Sequence, residues 1–441
     1  MKSEEKNKNV CSKAYVKNIF SILMSFPFVL ALTSCYQSVE NPIAEFPVGS
    51  EYTSEVEFPK VSECLTEVEF LTQYFITHSD TISTGFLYSA TISSDGSLWV
   101  WGRNGRGSLG LGYDMRGEIF SPMQIGTDTD WASVTTGTYT VAIKTDGSLW
   151  AWGINSFGQL GDGTITTRCT PIQIGTDTDW VRVTIGGNHT VAIKEDGSLW
   201  SWGRNSFSQI GDGTTIDQLT PVQIGTDTDW VRVTAGSDHT MALRADGSIW
   251  AWGRNTYYQF GDGITPGGYR ATPQSTPLQI GTDTDWAFIT TGERHTAAIK
   301  TDGSLWTWGW NWFGQLGDGT TVNQPTPVQI GTDIDWVYVA VDVASTIALK
   351  SDGTLWTWGA NDDGQLGDGT TIHRHTPVQI GTDTDWVSIA RNNGRTLAVK
   401  TDGSLWSWGW AGVDGASGLI GDGTTESRHS PVRIMDSVLI P

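Results

Sequence analysis

The chain has 441 residues, 48 acidic against 27 basic side chains, a formal net charge of −21, and 23 tryptophans. Affinity for nucleic acid rests on Lys and Arg neutralising phosphates, so this balance argues against a phosphate-binding surface. Charged residues are only 17% of the chain and aromatics 11%, too apolar for disorder, and four cysteines at this length are too few for a disulfide scaffold.

At the N-terminus, Lys2, Lys6, Lys8, Lys13 and Lys17 precede an apolar stretch from Ile19 to Leu32, which ends in Leu32-Thr33-Ser34-Cys35. A basic region, a short apolar core and small residues before a cleavage point are the layout of an export signal. The tetrapeptide is similar to the lipobox of bacterial lipoproteins. That implies a signal peptide over residues 1–34 and a lipid on Cys35. An ordinary signal peptide and a permanent anchor are the alternatives; against the anchor, 14 residues interrupted by Pro27 fall short of the roughly 20 that span a bilayer. Removing residues 1–34, with five lysines and two glutamates, takes the charge from −21 to −24. Residues 35–78, Glu-rich and containing Pro42, Pro47 and Pro59, read as a flexible tether. Cys64 lies in that tether and Cys169 in an expected loop; an oxidising compartment would permit a disulfide between them without requiring one.

From residue 79 onward a repeat dominates. Asp-Gly-(Ser/Thr)-(Leu/Ile)-Trp begins at Asp95, Asp146, Asp196, Asp246, Asp302, Asp352 and Asp402, at intervals of 51, 50, 50, 56, 50 and 50 residues. The unit starting at Trp180 reads as four short strands: Val181 to Thr184, Thr190 to Lys194, Leu199 to Gly203, and Val222 to Ile224 after Pro221. Asp196-Gly197 is the hairpin signal between the second and third, because both residues accept positive φ. Period-two alternation sends Trp200 and Trp202 to one face of the third strand. Four strands every 50 residues, seven times over, predict an all-β chain: a seven-bladed β-propeller over residues 79–441, the large face of each blade filling against the small face of the next. A solenoid is the lesser alternative, since its end units would need distinct caps. Blade one lacks a leading Trp, and either Asp80 to Gly85 or Ser437 to Ile440 completes it.

The run Val233-Thr234-Ala235-Gly236-Ser237-Asp238-His239-Thr240-Met241-Ala242-Leu243 and its copy at Ile289 to Ile299 resemble the repeat signature of the RCC1 (regulator of chromosome condensation) family. So does Trp-Gly-x-Asn-x-x-Gly-Gln-Leu-Gly at Trp152 to Gly161 and Trp358 to Gly367. The resemblance covers roughly 80% of the chain and implies an RCC1-like seven-bladed propeller. Functions in that family vary: GTPase exchange and chromatin binding for the nuclear member, light sensing, protein contacts, and β-lactamase inhibition by a secreted bacterial form. The exchange function is not carried over. Its special insertion and charged face have no counterpart here, and an exported acidic lipoprotein would meet neither a cytosolic GTPase nor DNA.

Comparison of the seven copies points to one face for binding. The second-to-third turns and the Gly-Thr-Asp-x-Asp-Trp connections ending at Trp131, Trp180, Trp230, Trp286, Trp336 and Trp386 barely vary. The first-to-second and third-to-fourth loops share the other face and vary freely, with insertions at Ile264 to Thr276 and Ala411 to Ser417. Loops on a rigid scaffold are where binding concentrates. One register reads Tyr88, Tyr139, His189, His239, His295, Ser345 and Arg395, and Tyr139, His189, His239, His295 and Arg395 are expected to line the inner rim as ligand contacts. The alternative is that they hydrogen-bond a neighbouring blade. Phe157, Phe207, Tyr257, Trp312 and Phe313 follow the Asn of the long loop, where rings stack on ligands or pack their own loop. Fourteen tryptophans form Trp-x-Trp pairs and six end the acidic connections, leaving Trp310, Trp312 and Trp410 as further ligand-binding candidates.

Other chemistry has less support. About 19 carboxylates on the conserved face would suit calcium, yet the fixed calcium loop is missing, and Asp capping its own turn explains them. His373, His375 and His429 are set aside as zinc ligands because outer strands of neighbouring blades diverge and the register shared by His375 and His429 also holds Cys169, Leu219 and Ser275. No nucleophile elbow, Walker loop or dinucleotide fingerprint is present, so no catalytic residue, metal or cofactor is assigned. The expectation is a lipid-anchored, exported interaction module of the bacterial cell envelope or surface. It binds another protein, or less readily a glycan, through its loop-rich face. A propeller hydrolase or lyase acting on envelope polysaccharide is the competing reading.

Overall fold

The computed structural model describes residues 81–112, 117–264, 272–412 and 418–440. The signal peptide, the tether, Cys11, Cys35 and Cys64 lie outside these residues, as does most of each loop insertion. Among the described residues, 28 strands pair into seven four-stranded antiparallel sheets, each in chain order. The first strands are β1 (Ile82–Thr84), β5 (Trp131–Thr136), β9 (Trp180–Ile185), β13 (Trp230–Ala235), β17 (Trp286–Thr291), β21 (Trp336–Val341) and β25 (Trp386–Asn392). They ring a central cavity of about 470 Å3, so the sheets are the blades of a seven-bladed propeller.

Blade three shows why the sequence folds this way. It comprises β9, β10 (His189–Lys194), β11 (Leu199–Gly203) and β12 (Gln218–Gln223). Trp200 pairs with Ala192 and Trp202 with Thr190, so both indoles share a face with small residues of β10. That face packs on Val141, Ile143, Leu149, Ala151 and Leu160 of blade two, large against small as the alternation implies. Trp202 is wholly buried, as are its six counterparts Trp101, Trp152, Trp252, Trp308, Trp358 and Trp408. Truncating one such indole to Ala costs roughly 3–5 kcal/mol. A loop glycine of the preceding blade, Gly161, lies flat against the Trp202 ring with φ +82°; a Cβ there would stand 2.7 Å from the indole nitrogen.

Fourth strands begin earlier than the prolines suggest. β12 starts at Gln218 with Pro221 inside it, which an outer edge strand tolerates because its N–H side needs no partner. For the same reason Cys169 sits in the fourth strand of blade two (Arg168–Gln173), half-buried against Gly107, rather than in a loop.

Both chain segments proposed for blade one contribute. β1 pairs Ile82 with Thr91 and Thr84 with Ser89. Beyond it, Leu439 N donates to Ile92 O at 2.9 Å and Val438 bridges Ser93. Val438 N also donates to the Gly403 carbonyl at 2.9 Å, the bond Trp180 N makes to Gly147 at 3.2 Å. Val438 thus stands where every other blade has its leading tryptophan. Trp101 then packs on Leu397, Val399, Leu405 and Val438, closing the ring.

Candidate interaction face

In a blade of four antiparallel strands, the first-to-second and third-to-fourth loops leave from one face and the remaining connections from the other. The second face is acidic and chemically occupied. Each Asp-Gly turn caps itself: the Asp196 carboxylate accepts from Ser198 N at 2.9 Å, and Ser198 Oγ accepts from Trp200 Nε1 at 2.9 Å. Each Asp-x-Asp connection grips a cation. Lys194 Nζ lies 2.6 Å from Asp177 and 3.0 Å from Asp179, and over the Trp180 and Trp200 rings at 4.7 and 4.9 Å. Lys144, Arg244, Lys300, Lys350 and Lys400 repeat the arrangement. Desolvation opposes the charge of Lys194, yet the two carboxylates hold its ammonium above the ordinary lysine range. The carboxylate pairs that left room for calcium therefore enclose an ammonium or guanidinium group. Among the described residues, no cluster of three or more His, Cys, Asp or Glu is placed to hold a metal. His375 and His429 pack on Gly314 and Gly364 of their preceding blades.

The expected rim residues are not at a rim. Tyr139, His189, His239 and His295 are 0% exposed and Arg395 is 1%, so no ligand reaches them. They sit at the heads of second strands and bolt one blade to the next. Tyr139 OH bonds Thr190 Oγ1 at 2.8 Å, His189 Nε2 bonds Thr240 Oγ1 at 2.9 Å, His239 Nε2 bonds Thr291 Oγ1 at 2.8 Å, and His295 Nε2 bonds Thr346 Oγ1 at 3.1 Å. Thr240 and Thr346 donate their own protons to the Gln209 and Gln315 carbonyls, so Nε2 of His189 and of His295 carries the hydrogen. Burial pushes His189 and His239 down to about 3 and His295 to about 4, keeping the rings neutral.

The long loops also have a structural grammar. Asn155 donates to Asp162 at 3.0 Å and accepts from Leu160 N at 3.0 Å, while Gln159 accepts from Phe157 N at 2.9 Å. The Asn-x-x-Gly-Gln-Leu-Gly run is thus a loop-folding device, and it holds the ring between Asn and Gln at the surface.

Those rings meet arginines. The Arg204 guanidinium lies 5.2 Å from the Phe157 ring and 5.5 Å from Phe207, and Arg254 lies 4.7 Å from Phe207. Arg294 stands 4.8 Å from Tyr257 and 5.0 Å from Trp310. Trp310 continues to Trp312 and Phe313, both at 5.6 Å, and Phe313 to His373 at 5.4 Å. Trp310 is buried within this group, while Trp312 is 68% exposed. Near blade one a cleft of about 450 Å3 is lined by Phe86, Arg103 and Arg106. The result is a belt of stacked guanidinium groups and rings along the loop-rich face. Blade six interrupts it with Asp362 and Asp363 in the aromatic register; burial and the Asp362 charge raise the Asp363 carboxyl. Trp410, the third candidate, is half-buried and its backbone N–H is bonded to Gly394. Sequence reasoning missed the arginines, although Trp-Gly-Arg-Asn recurs at Arg103, Arg204 and Arg254.

A closed ring of seven Trp-sealed blades, each of four antiparallel strands, defines a seven-bladed β-propeller. The RCC1-like domain matches residues 52–345, two thirds of the chain, and the RCC1 repeat matches residues 352–399; the chain belongs to the RCC1-like family. The solved structure of Prp20p from Saccharomyces cerevisiae, whose report describes binding to Gsp1p and histones, is similar at a TM-score of 0.69 and 21% identity, over 83% of this chain and 89% of that one. Human WBSCR16 is similar at a TM-score of 0.62 and 20% identity, over 70% and 83%. Among curated relatives, an 84-residue stretch is 36% identical to the X-linked retinitis pigmentosa GTPase regulator homolog of Caenorhabditis elegans. Another of 80 residues is 35% identical to the RCC2 homolog of Danio rerio. Each stretch spans 18% of this chain, and they cover 6% and 16% of those relatives.

Proposed function

We propose that this propeller is a protein-binding module that docks its partner on the arginine–aromatic belt, and that the chain is exported and held at a membrane by a lipid on Cys35. The belt carries the reading. Trp, Tyr and Arg dominate the energetics of protein interfaces, and Trp312 stands exposed beside Arg294 and Phe313 on the face whose loops vary between repeats. The opposite face repeats one self-satisfied cluster and offers little for recognition. The fold shared with a yeast protein reported to bind Gsp1p and histones is in keeping with a binding platform. Nucleotide exchange is no part of the proposal.

The test is capture from envelope extract by the Cys35→Ala chain, compared with the same chain also carrying Arg294→Ala and Trp312→Ala. A stoichiometric protein partner whose affinity falls at least roughly 30-fold in the double belt variant is expected, the size of one interface hot spot. A partner bound equally well by both, or turnover of a glycan library by the chain, overturns the reading. Labelled fatty acid is expected to enter the wild-type chain and to be lost in Cys35→Ala; equal labelling removes the anchor.

A further inference from the structure

The seams between blades follow one plan, and the closing seam departs from it. In five seams a ring at the head of a second strand bonds a threonine of the next blade; Tyr88 to Thr140 at 2.7 Å is the first and His295 to Thr346 the last. The sixth seam is closed by an ion pair instead: Arg391 Nε meets Asp342 at 3.3 Å and Ser345 Oγ at 2.9 Å, all of it buried. The seventh joins blade seven to blade one through Arg395. Its Nη2 donates to the Gly85 carbonyl at 2.6 Å and the Tyr88 carbonyl at 3.3 Å. Among the described residues, Arg395 Nε and Nη1 meet no acceptor. Ser89, which holds the register of Thr140, Thr190 and Thr346 and follows the Tyr88 whose carbonyl Arg395 bonds, likewise has an unpartnered Oγ. Both residues are buried, at 1% and 0% exposure.

A guanidinium group does not give up its charge near neutrality, and a buried charge without a counter-charge is among the most costly groups in a protein. Arg391 has Asp342; among the described residues no carboxylate bonds Arg395. Two Arg395 nitrogens, Nε with one polar hydrogen and Nη1 with two, and the Ser89 hydroxyl are donors without an acceptor among the described residues.

We propose that the closing seam binds one small monovalent anion of chloride size, held by Arg395 Nε and Nη1 and by Ser89 Oγ. One guanidinium balances one negative charge, so a divalent oxyanion would leave an uncompensated charge in the seam. Arg395, Ser89 and the adjacent Tyr88, at 2%, are all buried, which favours a monatomic ion over an organic carboxylate. The ion binds only when the two ends of the ring meet, so it stabilises closure by mass action.

The test is urea unfolding of the full chain at constant ionic strength, with sodium gluconate replaced stepwise by sodium chloride. Saturation to about 100 times the dissociation constant lowers the unfolding constant roughly 100-fold. Arg395→His, which installs the residue used in the same register of blades three to five, is expected to abolish the chloride response. A response equal in both chains, or none in the wild type, overturns the proposal. Crystals of the wild-type chain grown in bromide give a second reading that no variant can confound. An anomalous peak within hydrogen-bonding reach of Arg395 and Ser89 supports the site, and a water alone at that position overturns it.

Discussion

Replacing one glycine with alanine separates blade packing from backbone strain. Gly161 has φ +82°, and an added Cβ would lie 2.7 Å from Nε1 and 3.0 Å from Cδ1 of Trp202, an indole with no room to retreat. Gly175, in the same blade, has φ +66° and nothing within 4 Å of the Cβ position. A left-handed conformation costs an L-residue about 1–2 kcal/mol, and overpacking a full core costs about 1–3 kcal/mol more. Gly175→Ala therefore loses about 1–2 kcal/mol and Gly161→Ala about 2–5 kcal/mol. Urea unfolding followed by tryptophan fluorescence measures both, with the slope of the transition checked for constancy. The difference between the two variants isolates the glycine–indole contact that recurs at every seam. If Gly161→Ala proves no worse than Gly175→Ala, the contact does not hold the blades together and the account of the ring fails.

Two further outcomes follow from the charged and titrating groups. Burial lowers His189 and His239 to about 3 and His295 to about 4, so they take up protons only on unfolding. Their contribution is complete above the unfolded value of about 6.5 and is lost as pH falls toward the folded values, at up to about 1.4 kcal/mol per pH unit for each ring. Urea midpoints between pH 7 and pH 5 check this; His239→Tyr, which supplies the ring donor of blades one and two, should remove one ring's share of the slope, and an unchanged slope refutes it. Lys194→Met keeps the stem but leaves Asp177 and Asp179, both about half exposed, facing each other without a cation. A loss of roughly 1 kcal/mol is expected, partly recovered in about 1 M salt, and a variant as stable as the wild type would show the clamp to be idle.

What was legible in the sequence is what the repeat forces to be the same. The 50-residue period, the Asp-Gly turns and the Trp-x-Trp pairs predict the blades and their large-against-small packing, and Trp202 in its pocket bears this out. The register from Tyr88 to Arg395 misled because variation among copies resembles variation for binding. Here it reflects seven local solutions to one seam, since Tyr, His and Arg all reach a facing hydroxyl or carbonyl from the same strand position. Periodicity does not report depth along a blade, so burial at that register was invisible. The belt was half visible: its rings were in register, but the arginines come from two different loops, and only the fold stacks Arg294 of one on Trp310 of the other. The fourth strands began earlier than expected because proline at an outer edge does not stop a strand.

The distribution of cations is in keeping with the proposed binding face. Five lysines fall within the described residues, and all five are gripped by Asp pairs on the acidic face. The cations of the loop-rich belt are arginines. An ammonium is a compact point charge, suited to sit between two carboxylates and over two indoles without further demands. A guanidinium is planar and weakly hydrated, so it stacks on a ring and still presents N–H edges to a partner. The acidic face therefore uses its cations internally and shows a partner only half-screened carboxylates. The belt keeps Arg204, Arg254 and Arg294 partly exposed beside aromatic surface. On the proposed docking face a carboxylate-bearing protein surface would gain contacts and on the other side would meet like charge, so the net charge that first argued against nucleic acid is also in keeping with docking on the belt.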